Sequence, residues 1–117
     1  MNEGEKTYFP TGTHLIADLK RCKNTEFTEE QIKSIVLAIG CTPIKYIEHK
    51  YEPQGKSAIY LLAESHVSIH TYPEHGYVAV DVYACGNNNP KLALPLLTRL
   101  FQAKEEISRI IKRGINE

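Results

Sequence analysis

The sequence has no excess charge of either sign and no long apolar run. Lysine plus arginine and aspartate plus glutamate each number 14 among 117 residues, so the formal net charge is zero. With no basic tract to indicate nucleic acid or an anionic membrane, we expect a small-molecule or protein partner. No run approaches the ~20 apolar residues that span a bilayer. Residues 1–12 lack the apolar stretch of a signal peptide, which favours a cytoplasmic protein.

Cysteine is also scarce. Cys22, Cys41 and Cys85 are odd in number, and no two of them have Cys-x-x-Cys spacing. That pattern argues against a disulfide framework and against a structural zinc knuckle. We therefore expect three free thiols, each with the ordinary role of a small buried apolar side chain unless other residues assign it chemistry.

Two segments predict helices within a single domain spanning residues 1–117. In TEEQIKSIVLAIG, Thr28 precedes Gln31 by three residues as in a capping box, apolar residues follow at helical spacing, and Gly40 stands where a helix ends. The segment KLALPLLTRLFQ also shows helical spacing, and its Pro95 is tolerable only near a helix start.

Several other segments predict strands. GTHLIADL, PIKYIEHKY, the segment beginning at Ser57 and GYVAVDVYACG are rich in alternating or β-branched apolar residues and are separated by turn signals. Consecutive hairpins indicate an antiparallel sheet. The tail KEEISRIIKRG fits either a helix or an edge strand. We predict an α+β two-layer sandwich with an antiparallel sheet of four to five strands and two helices on one face.

The stretch AESHVSIHTYPEHGYVAVDVYACG is unusually rich in reactive side chains for a segment that alternates like strands. His66 and His70, with His75 and Cys85 downstream, raise the possibility of a metal site. Residues four apart converge on a helix, however, and this segment is extended. We therefore predict no metal site here, and we assign His14 and His49 an ordinary structural role.

Ser65 suggests a different chemistry. It lacks the glycine-rich elbow of a serine hydrolase. Its hydroxyl lies next to the peptide carbonyl of Glu64, so attack on that carbonyl is intramolecular and gains the effective concentration of a tethered reaction. Given a base and a strained turn, the serine could cut its own backbone.

The spacing of these residues resembles that of a known family, the small prokaryotic S-adenosylmethionine decarboxylases, which are self-processing pyruvoyl enzymes. The shared positions cover most of the chain and are Ser57, Glu64, Ser65, His66, Ser68, Ile69, His70, Thr71, Pro73, Glu74, Asp81, Cys85 and Gly86, together with the opening strand GTHLIADL. One departure is Tyr72, where many relatives carry tryptophan.

The resemblance implies cleavage between Glu64 and Ser65 through an N-to-O acyl shift and β-elimination. Residues 1–64 would form a β chain, and residues 65–117 an α chain capped by a pyruvoyl group made from Ser65. His70 matches the family's proton acceptor in processing, and Ser57 matches a second hydroxyl that assists the shift.

The resemblance also implies how the substrate is bound and decarboxylated. The pyruvoyl group would form a Schiff base with the substrate amine and act as the electron sink, so neither pyridoxal phosphate nor a metal is needed. Cys85 matches the proton donor in decarboxylation. Glu74 matches a carboxylate that binds the ribose hydroxyls, and Tyr51 matches an aromatic residue against the adenine. The product, S-adenosylmethioninamine, would serve spermidine and other polyamine biosynthesis.

Strand geometry makes a further prediction. On one extended strand Ser65 and His70 face opposite sides and stand about 16 Å apart, at ~3.3 Å per residue. Unless the chain turns sharply near Ser65, Ser57 and His70 must act on the Ser65 of a second copy. Larger eukaryotic relatives resemble two fused units, which favours a homodimer with composite active sites.

Two alternatives remain open from the sequence. A pyruvoyl decarboxylase of arginine or ornithine could use the same scaffold, although the ribose-binding role of Glu74 would then have no obvious use. A binding module that never cleaves is the alternative of a different class.

Overall fold

The structure is a computed structural model that describes residues 11–86 and 88–115. The strands in chain order are β1 (Thr11–Lys20), β2 (Pro43–Lys50), β3 (Lys56–Leu62), β4 (Ser65–Tyr72), β5 (Tyr77–Cys85) and β6 (Glu105–Gly114). The helices are α1 (Glu29–Ala38) and α2 (Ala93–Phe101), with short 3₁₀ turns at Pro73–His75 and Pro90–Leu92.

The six strands form one sheet in the order β2-β3-β4-β5-β1-β6, and every neighbouring pair is antiparallel. The α+β fold is therefore as predicted, but the expected four to five strands are too few. The ambiguous tail is the additional strand: β6 pairs with β1 along its whole length, from Thr11↔Gly114 to Lys20↔Glu105. It forms an edge, and every residue of it is exposed.

Both helices begin and end for local reasons. The Thr28 hydroxyl accepts from the Gln31 backbone N–H at 3.2 Å, and the Gln31 side chain accepts from the Thr28 N–H at 2.9 Å, which completes the predicted capping box. Gly40 follows α1 with φ of +86°, a conformation that glycine adopts at little cost. Pro95 is the third residue of α2, where no intrahelical N–H bond is lost.

One face of the sheet packs against the helices and holds the core. Burial alternates along β3, β4 and β5, so every second side chain enters this face. Its largest fully buried side chains include Phe101, Leu15, Leu19, Ile32, Leu62, Ile69 and Leu97.

The other face of the sheet, which we call the open face, carries no helix in the part of the chain that the structure describes. Its residues include His14, Ile16, Ile47, Ser57, Ile59, Leu61, His66, Ser68, His70, Asp81, Tyr83 and Ile111, as the strand register shows. Its isoleucines and Leu61 are between 40% and 58% exposed. These exposed apolar side chains lie on either side of the polar His66, Ser68 and Asp81, and apolar exposure of this kind on one sheet face usually marks an interaction surface. No helix within residues 11–86 and 88–115 is long and apolar enough to cross a membrane.

Candidate active site

The tight turn between β3 and β4 places Ser65 beside a strained residue. Leu62 and Ser65 are the last cross-strand pair of this hairpin, so only Ala63 and Glu64 connect the strands. Glu64 has φ of +60°, a left-handed conformation that costs a non-glycine residue ~1 to 2 kcal/mol. The strain therefore lies immediately before the Glu64–Ser65 peptide bond.

Cys85, the last residue of β5, contacts both sides of that peptide bond. Its backbone N–H donates to Ser65 Oγ at 3.1 Å, and its thiol sulfur lies 3.5 Å from the same oxygen. The thiol also donates to the carbonyl oxygen of Glu64 in a short contact. Ser65 itself is only 6% exposed. One cysteine thus orients the serine hydroxyl and faces the oxygen of the carbonyl group whose carbon this hydroxyl would attack.

A second group of site residues lies toward the other end of β4. Ser57 and His70 are cross-strand partners, and Ser57 Oγ lies 2.7 Å from His70 Nδ1. The Tyr51 hydroxyl lies 3.1 Å from the same Ser57 oxygen. A small pocket of about 190 Å³ opens against Ser57 and His70, and its wall includes His49 and Ile59.

The two groups do not meet within one chain. Ser65 is buried on the helix-covered face, whereas His70 lies five positions along the same straight strand on the open face. Five residues of strand extend about 16 Å. Neither Ser65 nor Cys85 lines the small pocket. A larger groove of about 790 Å³ lies between the α1 N-terminus and the β2–β3 hairpin, and these two residues do not line it either.

Glu74 lies at the same end of the sheet as His70. It is exposed in the 3₁₀ turn after β4, and the Gln54 side-chain amide donates to it at 3.5 Å. Tyr51 is also nearly half exposed, at 48%. Both residues assigned to the substrate from the sequence are therefore accessible beside Ser57 and His70, away from Ser65.

A histidine and carboxylate cluster on the open face was not predicted from the sequence. Nε2 of His66 lies 3.0 Å from Oδ1 of Asp81, Nε2 of His14 lies 3.3 Å from the same oxygen, and Ser68 donates to Oδ2 at 2.7 Å. The distance between His14 and Asp81 is that of an ion pair, but the two groups are not aligned as a hydrogen bond. The buried Nε2 of His14 has no hydrogen-bond partner among the described groups. The sequence offered no signal, because the three residues come from three strands.

These three ligand atoms lie within 4.8 Å of one another, a separation that suits a metal ion. A histidine that binds a metal through Nε2 donates its Nδ1 proton to an acceptor. Nδ1 of His14 instead faces another donor, the Arg113 guanidinium, at 3.5 Å. The same cation would repel a bound ion. The cluster is thus better suited to hydrogen bonds that Asp81 accepts than to binding a metal ion. That the activity needs no metal stays a prediction.

All three cysteines are free thiols, as expected. Burial raises the pKa of Cys22 and of Cys41, so both thiols resist ionisation. Of the three, only Cys85 contacts the predicted cleavage site.

Comparison of the chain with known proteins identifies its family. A sequence profile of the S-adenosylmethionine decarboxylase family matches residues 13–114. The chain is 39% identical over 112 residues to an S-adenosylmethionine decarboxylase proenzyme of Clostridium kluyveri, covering 91% of this chain and 89% of the relative. It is also 39% identical over 110 residues to one from Pelotomaculum thermopropionicum, covering 89% and 87%.

Solved structures show the same fold. The adenosylmethionine decarboxylase of Aquifex aeolicus superposes with a TM-score of 0.78 at 31% identity, covering 94% of this chain and 96% of that one. A Trypanosoma brucei AdoMetDC chain, described as a monomer, has a TM-score of 0.52 at 17% identity. This chain covers only 45% of the trypanosomal one, which shares the fold over that part. This chain therefore belongs to the S-adenosylmethionine decarboxylase family, whose catalytic type is that of a carboxy-lyase.

Proposed function

We propose that this protein decarboxylates S-adenosylmethionine after cutting its own chain between Glu64 and Ser65. Residues 1–64 then form the β chain, and residues 65–117 form the α chain with a pyruvoyl group at the former Ser65. The observation that carries this proposal is the placement of Cys85, which touches the Ser65 hydroxyl and the Glu64 carbonyl oxygen together.

The first processing step moves the acyl group of Glu64 from nitrogen to oxygen. Ser65 Oγ attacks the Glu64 carbonyl carbon, and negative charge develops on the carbonyl oxygen. The Cys85 thiol donates to that oxygen and therefore stabilises the charge as it forms. Collapse breaks the C–N bond, the proton lost by the Ser65 hydroxyl ends on the freed nitrogen, and the ester that remains releases the left-handed strain at Glu64.

The second step needs a base that the same protomer does not bring to Ser65. Loss of the Ser65 Cα proton breaks the Cβ–O bond, so Glu64 leaves as a carboxylate. Water then replaces the nitrogen, which departs as ammonia. His70 is the base in this proposal, with Ser57 bonded to it at 2.7 Å. Since His70 lies about 16 Å along the strand from its own Ser65, it serves the Ser65 of a second copy.

A homodimer formed through the open face would bring His70 of one copy to the strand ends of the other, where Cys85, on the open face by its register, touches the Ser65 hydroxyl. If the two copies of β4 cross in opposite directions, the His70 end of one lies over the Ser65 end of the other. The exposed Ile47, Ile59 and Leu61 would be buried in that contact.

The residues around Ser65 fit a pyruvoyl group. The Cys85 N–H, which donates to Ser65 Oγ in the uncut chain, becomes free when that oxygen leaves with Glu64, and it would then be a donor for the pyruvoyl group. A pyruvoyl group supplies an electron sink for the carbanion that forms when CO₂ leaves. The Cys85 thiol is positioned to return a proton to the substrate Cα. Glu74 accepts hydrogen bonds from the ribose, and the Tyr51 ring packs against the adenine.

The product would be S-adenosylmethioninamine, an aminopropyl donor for spermidine and related polyamines. Denaturing mass spectrometry of freshly purified protein tests the proposal. We expect two fragments divided between Glu64 and Ser65, the second beginning with pyruvoyl, and an intact chain for Ser65→Ala. A wild-type chain that stays whole during prolonged incubation and releases no CO₂ from S-adenosylmethionine would overturn it.

A further inference from the structure

Tyr51, assigned above only to the adenine ring, extends the Ser57 and His70 pair by a third group. Its hydroxyl lies 3.1 Å from Ser57 Oγ, which in turn lies 2.7 Å from His70 Nδ1. Tyr51 follows the last residue of β2, and its N–H donates to Gly55 at 2.9 Å to close the β2–β3 hairpin. The His49 ring packs against the tyrosine ring edge to face, with centroids 4.7 Å apart.

We propose that the Tyr51 hydroxyl is a positioning group that fixes the direction of the Tyr51–Ser57–His70 hydrogen-bond chain, and thereby the tautomer of His70. This inference rests on the proposed role of His70 in processing. It goes beyond adenine packing, which uses the ring of Tyr51 and not its hydroxyl.

Proton counting along the chain gives the reason. His70 can act as a base at Nε2 only if Nδ1 carries the ring proton. Nδ1 then donates to Ser57 Oγ, and the Ser57 hydroxyl proton must go elsewhere. Tyr51 Oη is the acceptor within reach of it. His70 and Ser57 then each donate one hydrogen bond to the next group, and the hydroxyl proton of Tyr51 is available to donate to water.

Without the tyrosine oxygen the direction of donation along these hydrogen bonds can reverse. The Ser57 hydroxyl would then donate to Nδ1 of His70, and the ring proton would move to Nε2. A histidine in that form has no free Nε2 lone pair with which to take the Ser65 Cα proton. The hydroxyl of Tyr51 therefore matters to the rate of cleavage, whereas its ring matters to substrate affinity.

Tyr51→Phe separates these two contributions because it keeps the ring. Chains made by cell-free translation are quenched at timed intervals and weighed under denaturing conditions. We expect Tyr51→Phe to be cleaved about 10-fold more slowly than wild type, a modest share of the ~100-fold or more that general-base catalysis supplies. The KM of the fully cleaved variant should stay within about twofold of wild type.

Tyr46→Phe is the matched control, since it removes a hydroxyl that bonds Glu48 at 2.6 Å and not Ser57. It should be cleaved at the wild-type rate. Ring ¹⁵N chemical shifts of His70, measured in a Ser65→Ala background that cannot be cut, report the tautomer directly. We expect the Nδ1–H form with Tyr51 and a shift toward the Nε2–H form in Tyr51→Phe.

The outcomes separate this inference from the proposed function. If wild type is cleaved and Tyr51→Phe matches it in rate and in the His70 tautomer, the role of the Tyr51 hydroxyl is wrong and self-processing stands. If Tyr46→Phe slows as much as Tyr51→Phe with no change in tautomer, the effect is general destabilisation and the inference also fails. A wild-type chain that never cleaves contradicts the proposed function itself.

Discussion

Ser65 and His70 project from opposite faces of one straight strand, five residues apart. Ser65 is buried among the residues under the helices, while His70 lies on the open face and bonds to Ser57. The groups that this family resemblance assigns to one reaction are thus divided between two places in the chain. A second copy is the simplest way to unite them, and the exposed apolar residues of the open face provide the surface for it.

Replacement of Cys85 should affect both chemical stages. Cys85→Ala removes the donor to the Glu64 carbonyl oxygen and the proposed proton donor to the substrate, so we expect slower cleavage and a fall in turnover of about 100-fold or more. Quenched mass spectra follow the cleavage, and CO₂ release follows the turnover. Cys22→Ala is the control, because Cys22 is also a half-buried free thiol but is not bonded to the turn. Undiminished CO₂ release by Cys85→Ala would remove Cys85 from the mechanism.

Glycine at position 64 should relieve strain and slow cleavage. Glu64 has φ of +60°, which glycine adopts freely, so in a Ser65→Ala background Glu64→Gly should raise the free energy of unfolding by up to about 1 kcal/mol. With Ser65 restored, cleavage should slow, because less strain is released when the peptide bond breaks.

Gln102→Gly is the matched control for this prediction. Gln102 also has a left-handed φ, of +49°, but follows α2, far along the chain from the cleavage site. It should raise the free energy of unfolding, measured by urea denaturation, by a similar amount and leave the cleavage rate unchanged. Equal cleavage rates for Glu64→Gly and wild type would show that backbone strain contributes nothing to processing.

Stability should fall in alkaline solution, partly through Tyr77. Its hydroxyl donates to Asp18 at 2.5 Å, and this bond, with burial, raises the pKa of Tyr77 to about 12. A raised pKa means that the folded state keeps a proton that the unfolded state loses near pH 10, so the stabilisation is complete below pH ~10 and declines as the pH rises toward 12.

Tyr77→Phe isolates that contribution from the other tyrosines with raised pKa, Tyr46 and Tyr60. Urea unfolding at several pH values should show a shallower alkaline decline for Tyr77→Phe than for wild type. Parallel declines would mean that the Tyr77–Asp18 hydrogen bond does not couple to folding.

Local signals predicted much of the fold. The Thr28 and Gln31 capping box and Gly40 marked both ends of α1, and alternation marked the strands. Strand β6 was ambiguous for a physical reason: Ile107, Ile110 and Ile111 have helical spacing, and both faces of the strand are exposed, so no alternation of burial shaped its sequence. Only pairing with β1, about 90 residues away in sequence, decides its conformation.

The site was predictable only in part for a similar reason. Strand parity placed Ser65 and His70 on opposite faces without a structure. The contacts of Cys85 with Glu64, of Tyr51 with Ser57 and of His14 with Asp81 depend on cross-strand register and hairpin closure. Register is set by long-range packing, so neither spacing nor composition reveals which side chains become neighbours.

The central claim, that each active site combines Ser65 of one copy with His70 of another, is tested most directly by complementation. Ser65→Ala and His70→Ala chains, each uncleaved alone, are co-expressed in equal amounts with different tags and weighed under denaturing conditions. We predict cleavage of about half of the His70→Ala chains, because random pairing places half of them beside a partner with an intact His70. No cleavage of those chains in isolated mixed dimers, with wild type cleaved normally, would contradict the account.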